Sequence, residues 1–490
     1  MECKDSLKMQ NPKKILISIL LLALFSSNWA FAELSVKEPC SNGMVLQQKS
    51  NPVVWGHASP GAEVLVKTGW DASRYRATAG PDGVWRVNVS TPEASYTNYD
   101  IVVKGDGSTI EIKDVLIGEV WIAAGQSNME MPMRGWTNIP VENAIEFLSC
   151  APMHDRIRMF TVAENPSMTP LDDVRQTKGW EKADASTIPD MSATAFFFAL
   201  KLNSALDIPV GIVSIPRGAT RVEGWLPKEI IDSYGTEKEW ETESRMKSPW
   251  APYTSYNGMQ HPVRGYTAKG FIWYQGCSNV HSYSTYASRL KDMVALWRKE
   301  WGDTGCRMPF YTVEIAPCAS RDGGYNGLSP LLRKAQLEAS KAIENSGIVC
   351  TNDLVYDYEI DNIHPCRKQE VGNRLAYIAL NHDYGFDRLA CLSPEALKAY
   401  ADTEGNICVE FSNCSRGVNR TSGIEGLELC RADGSVVPVT AIRFSGKGVM
   451  KIAGGGMEDI KCVRSGWGDF KPGNLKNVEG LPFLPFELAL

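Results

Sequence analysis

Four short stretches of this chain carry residue types that could transfer an acyl group. The first is Gly125-Gln126-Ser127-Asn128-Met129-Glu130, which follows directly on an apolar run. A serine just past the carboxyl end of a strand, at the start of a helix, is exposed where ligands bind in α/β sheets. Its own backbone N–H can point at a developing oxyanion, and the preceding glycine permits a tight turn. Taken alone, the same pattern also describes a serine that only caps a helix.

A serine nucleophile needs a base. Of the six histidines, His364 stands out because it sits in Asp361-Asn362-Ile363-His364-Pro365. An acid three residues earlier can reach the ring nitrogen facing away from the serine, fixing the tautomer and stabilising the imidazolium. Asp353 and Asp357 are rival acids upstream. Asp361 is preferred because one turn brings its carboxylate to the ring without help from distant packing.

The third stretch is Trp273-Tyr274-Gln275-Gly276-Cys277-Ser278-Asn279, where a side-chain amide could supply an oxyanion donor. The fourth is Pro216-Arg217-Gly218-Ala219-Thr220, where Gly218 could offer a backbone donor. Taken alone, the third reads as loop hydrogen bonding and the fourth as an ordinary strand-to-loop exit.

These stretches need elements to position them. Val115 to Ala124, Ile208 to Ile215, Gly270 to Tyr274, Phe310 to Ile315 and Ile348 to Cys350 read as buried strands. Tyr286 to Trp301 has helical periodicity, with Leu290, Met293, Val294 and Trp297 on one face. Ser329 to Ile343 and Lys368 to Leu380 also read as helices. Such alternation predicts an α/β fold, a mostly parallel sheet with helices on both faces, over residues 114–390. Residues 33–113 read as an N-terminal β-sandwich, with hairpin turns at Pro81-Asp82-Gly83 and Gly105-Asp106-Gly107. Residues 391–490 return to β signals, with a hairpin turn at Arg431 to Gly434.

Composition narrows the function. The 490 residues exceed one ordinary core, so two or three domains are expected. The formal charge is −6, and no block rich in lysine or arginine points to nucleic acid. Lys4, Lys8, Lys13 and Lys14, the apolar run Ile15 to Phe25 and Ala30-Phe31-Ala32 predict a signal peptide over residues 1–32. The mature chain is then expected to be secreted or periplasmic, with no integral membrane association. Of 13 cysteines, Cys408, Cys414, Cys430 and Cys462 cluster near the end as possible bridge partners. No pair of CxxC units suggests a structural zinc site.

The four blocks, in this order and each after an expected strand, resemble the sialate O-acetylesterase family of the SGNH hydrolases. Trp121 to Met129 is similar to its serine block and Phe271 to Asn279 to its WYQGESN block. Ile363-His364-Pro365 with Lys368, Val371-Gly372 and Arg374-Leu375-Ala376 resembles its histidine block. Pro39 to Gln47 and Asn474 to Pro482 are similar to its two ends. Cys277 stands where the family has glutamate, and Arg217 to Thr220 replaces a more glycine-rich stretch.

The resemblance implies an SGNH-like catalytic domain flanked by the two β regions, and a Ser–His–Asp esterase. Ser127 would attack an acetyl carbonyl, His364 would take its proton, and Asp361 would orient His364. The oxyanion would sit between the Ser127 N–H, the Gly218 N–H and an amide, Gln275 before Asn279. Gln126, Asn128, Arg217 and Arg221 are the expected substrate contacts, the two arginines for a sialate carboxylate. No cofactor or metal is implied. The expected substrate is an O-acetylated sialic acid. The alternatives are another acetylated glycan such as xylan, or an inactive carbohydrate-binding homologue.

Overall fold

The computed structural model describes residues 33–149, 152–153, 155–235, 248–319, 324–453 and 459–490. The expected signal peptide lies outside them. Strand β1 (Ser108–Gly125) is the spine of the molecule, 18 residues long. It is followed by the short helix α1 (Ser127–Glu130), then β2 (Ile157–Thr161), β3 (Trp180–Lys182) and α2 (Ala193–Leu206). Next come β4 (Val210–Pro216), β5 (Gly270–Tyr274), α3 (Tyr283–Glu300) and β6 (Phe310–Val313). Helix α4 (Ser329–Ala342), β7 (Ser346–Val349) and α5 (Lys368–Asp383) complete the layer.

The strand order is β3-β2-β4-β1-β5-β6-β7. All neighbours run parallel except the edge pair β3–β2, which is antiparallel. Side chains alternate across a strand, and the two cores show it. Trp121, Ala123, Ile272, Tyr274, Tyr311 and Val313 pack with α2 and α5 residues such as Phe198 and Leu375. Ile122, Ala124, Phe271, Trp273 and Phe310 face the other way, against Leu290, Trp297 and Leu332 of α3 and α4. Both faces are therefore covered by helices, which explains why these strands read as unbroken apolar runs.

Strands β2 and β3, helix α2 and the short helices Ala144–Leu148 and Lys228–Ser233 were absent from the sequence reading. Strands β2 and β3 are short. Helix α2 contains Ala195-Phe196-Phe197-Phe198-Ala199, buried on every side, so it shows no polar stripe.

The N-terminal region forms a three-stranded sheet (Ser35–Val36, Val53–His57, Val84–Asn88). Its other strands pair onward into β1, whose first half belongs to that region and whose second half is central to the large parallel layer. The boundary expected at 113/114 thus falls inside one strand, beside Asp114 with φ 60°. The C-terminal region holds two four-stranded sheets around their own core. A disulfide joins Cys430 and Cys462 on paired strands.

In a parallel sheet the strand direction tells the two ends apart. A cavity of about 530 Å³ is lined by Glu119, Lys269 and Met308, beside the amino ends of β5 and β6. The serine turn lies at the opposite, carboxyl end, where ligands bind in such sheets.

Candidate active site

The turn that carries Ser127 is made by backbone. Gly125 has φ 144°, and a Cβ there would lie 2.3 Å from the Tyr274 carbonyl oxygen, so only glycine fits. The Gln126 N–H donates to Tyr274 O (3.0 Å) and the Arg217 N–H to Gly125 O (3.0 Å). The Gln126 side chain accepts from the Gly276 N–H at 2.8 Å, tying the β1 exit to the β5 exit. Ser127 follows as the first residue of α1, where the leading amides lack intrahelical partners. Its hydroxyl donates to His364 Nε2 at 2.7 Å.

The histidine side is built differently. His364 sits in the irregular segment between β7 and α5. Asn362 brackets it, Oδ1 accepting from the His364 N–H and Nδ2 donating to the His364 carbonyl, both at 2.9 Å. Trp136 meets the imidazole edge to face, with centroids 5.1 Å apart. Asn128 Nδ2 donates to the Ile363 carbonyl (2.8 Å), and Lys368 Nζ donates to Asn128 Oδ1 (2.6 Å). Thr194 Oγ1 donates to the Asn128 carbonyl at 3.0 Å. The residue after Ser127 is thus bonded to the residue before His364.

Burial, and then the Lys368 charge, hold His364 far below its ordinary value, at about 3. The ring is neutral and its Nε2 can accept the serine proton. Burial also lowers Lys368, to about 7, opposed by Glu359, Cys277 and Cys366.

The three acids differ in setting. Asp353 takes two 2.7 Å hydrogen bonds from Arg374 and a 2.6 Å ion pair from Lys476 of the C-terminal region. Burial pushes its carboxyl up, but these two cations win and hold it below the ordinary value. Asp357 opens an exposed 3₁₀ turn, and Asp361 is exposed three residues before His364.

Gly218 arrives beside the serine; a Cβ on it would lie 3.9 Å from Ser127 Cβ and 2.8 Å from Glu130 Oε2. The two amides expected to donate to an oxyanion are engaged elsewhere. Gln275 Nε2 donates to Thr220 O (2.9 Å) and to Asn279 Oδ1 (2.8 Å). Asn279 Nδ2 donates to Glu223 and to Ser282, and its Oδ1 also accepts from the Val222 N–H. An amide nitrogen has two protons, so both amides use theirs inside the protein, one of each on the 217–223 loop.

A family model described as carbohydrate esterase, sialic acid-specific acetylesterase, matches residues 117–381, more than half of the chain. The chain belongs to that family. It is 27% identical to human sialate O-acetylesterase over 412 residues, 78% of this chain and 77% of the relative. The mouse sialate O-acetylesterase is 27% identical over 407 residues, 72% and 74% of the two chains. The crystal structure of a carbohydrate acetylesterase from Xanthomonas citri matches with a TM-score of 0.80 and 28% identity, over 92% of this chain and 99% of that one. The activity is that of a carbohydrate O-acetylesterase, a carboxylic-ester hydrolase.

In this acetylesterase the residues expected to touch substrate are unequally placed. Gln126 and Asn128 are buried, with their side chains bonded as described. Arg217 is 2% exposed; its Nε donates to Glu164 (3.0 Å) and its Nη1 to Thr254 and Ser255 (3.1 Å each). Arg221 is half-buried, its guanidinium 4.5 Å from the ring centre of the exposed Trp250. Glu130 was not assigned from sequence. Its carboxyl is raised by burial and by Glu164, against the Gly218 N–H and Arg217. Lys368 and Trp136 were also missed as parts of the site. The signal for Lys368 was its place inside the histidine block; nothing in the sequence marked Trp136.

Proposed function

We propose that the acetylesterase works through an acetyl-enzyme on Ser127, with His364 as base. The observation that carries this is the 2.7 Å contact between Ser127 Oγ and His364 Nε2 at the carboxyl ends of β1 and β5. Ser127 Oγ attacks the acetyl carbonyl carbon as His364 takes its proton. The tetrahedral oxyanion is met by the Ser127 N–H and by the Gly218 N–H as it turns from the Glu130 carboxylate to the substrate. Collapse breaks the ester bond, and His364 returns the proton to the departing sugar oxygen. Water, deprotonated by His364, then releases acetate. Gln275 and Asn279 hold the loop that presents Gly218. Asp361 orients the ring; Asp353 is engaged by two cations. A serine-reactive phosphonate should label Ser127 and no other serine; labelling elsewhere with activity lost would overturn the assignment.

The sialate O-acetylesterase relatives support an O-acetylated sialic acid as substrate. A second reading, a neutral acetylated glycan, is favoured by one observation: Arg217 is 2% exposed and bonded to Glu164, Thr254 and Ser255, which leaves it poorly placed for a sialate carboxylate. Acetate release from O-acetylated sialic acid and from acetylated xylan, with the Ser127→Ala protein as control, separates them. The basic start, apolar run and Ala30-Phe31-Ala32 support export, with Glu33 as the first mature residue. Mass spectrometry of mature protein tests that.

A further inference from the structure

We infer that Tyr356 and Tyr358 form a subsite for a neutral sugar ring linked to the acetylated sugar, so that the enzyme reads a glycan chain and not one sugar alone. The inference rests on the carbohydrate esterase reading above. The two rings stack, with centroids 5.3 Å apart and planes 11° from parallel. Both face solvent, Tyr356 at 38% and Tyr358 at 73% exposure, and Ile360 beside them is also exposed. An aromatic cluster left open at one spot of a soluble surface marks a binding surface more often than scattered apolar residues do.

The stack is held in place. The Tyr356 hydroxyl donates to Glu142 (3.1 Å), and the Arg367 guanidinium lies 5.8 Å from the Tyr356 ring centre. The Tyr358 hydroxyl meets Cys366 Sγ at 3.9 Å. Rings already fixed lose little further freedom when a ligand lies on them. An aromatic face suits the apolar C–H face of a pyranose, and the half-buried carboxylate of Glu142 and guanidinium of Arg367 at its rim suit the sugar hydroxyls.

Two chain segments link the platform to the site. Both tyrosines belong to the segment that carries His364. A second segment touches both: Trp136 packs on His364, and Glu142 bonds Tyr356. Six residues separate these contacts, so they lie at most about 20 Å apart. A glycan of a few sugars spans that distance.

The test compares chain lengths. Wild type and Tyr358→Ala would be assayed on acetylated xylose against acetylated xylotetraose, and on O-acetylated sialic acid free against joined to lactose. Hydrolysis of 4-nitrophenyl acetate reads the serine–histidine pair separately. The longer member of at least one pair should show a lower KM in the wild type. Tyr358→Ala should erase that gain, about three- to tenfold, and Tyr358→Phe should keep it. A wild type that gains nothing from length in either series overturns the subsite, as does a variant that loses equally on aryl acetate and on the longer sugar. An inactive wild type on aryl acetate would instead overturn the esterase mechanism.

Discussion

The two halves of the proposed serine–histidine pair are held by different means. Ser127 is placed by main chain: a strand end, a glycine with φ 144° and amide–carbonyl bonds to neighbouring strands. His364 is placed by side chains: Asn362, Asn128, Lys368 and Trp136. Backbone placement tolerates most side-chain changes around it and fails where a glycine is lost. Side-chain placement fails by degrees, one bond at a time. The two regions should therefore respond differently to substitution.

The largest effect is on the serine itself. Ser127→Ala should lower kcat for acetate release on the order of 10⁶-fold, with folding intact. Full activity in that protein would end the mechanism. Gly125→Ala sharpens the contrast: its Cβ has no room against Tyr274 O, so soluble, folded protein should be scarce in a circular-dichroism melt.

On the histidine side, His364→Ala should be nearly as damaging as Ser127→Ala. Asp361→Asn should cost about 10³- to 10⁴-fold, because the ring remains but its tautomer is poorly fixed. The double variant should be no worse than the worse single one. Asp353→Asn should act on stability instead. It breaks a buried carboxylate with two cations, so a loss of about 3 kcal/mol is expected in urea unfolding. The Asp353 carboxyl is held below its unfolded value, so its contribution is present above that value and lost as pH falls through the folded one. If Asp353→Asn stays folded and cripples turnover while Asp361→Asn does not, the acid is Asp353.

The same contrast explains what was legible in the sequence. Gly270 to Tyr274 was read with its observed bounds because a fully buried strand is a short apolar run closed by a loop. Helix α3 was legible because its buried residues make one stripe. Helix α2 was not, because a helix buried all round has no stripe to count. Ser127 stood out by following a readable strand and His364 by the acid three residues before it; their 2.7 Å contact is what folding adds. The fates of Gln275, Asn279 and Arg217 could not be read. Their partners lie 3 to 57 residues away along the chain, and only folding shows which donors remain.

Lys368 tests whether the side-chain network sets geometry alone or also the proton affinity of the base. Facing it are Asn128, the Tyr274 ring, Glu359, Cys277 and Cys366; facing His364 are Ser127, Trp136 and the Lys368 charge. Lys368→Met leaves Asn128 Oδ1 without its donor and loosens the 2.7 Å contact, so kcat should fall about 10- to 100-fold. It also removes a charge that disfavours imidazolium. The acid limb of kcat/KM should therefore move to higher pH than in the wild type, though burial still keeps it below the usual histidine value. An unchanged limb with lowered kcat would make Lys368 a purely geometric brace.

The smallest effect separates the two arginines of the Gly218 loop. Arg217 is buried and bonded to Glu164, Thr254 and Ser255, so it belongs with the side-chain-held parts of the molecule. Arg217→Gln should lower the melting temperature and depress every substrate together. Arg221 lies over an exposed tryptophan, where a guanidinium can meet an anion at modest desolvation. If the substrate is a sialate, Arg221→Gln should raise KM for O-acetylated sialic acid by about tenfold, the worth of one charge-assisted bond at a partly exposed site. KM for a neutral aryl acetate should stay within about twofold. Equal changes on both substrates would remove the last arginine expected to bind a carboxylate and leave a neutral glycan as the substrate that fits. That outcome would also extend the comparison, because the loop presenting Gly218 would then be shaped for position throughout, with charge recognition absent from it.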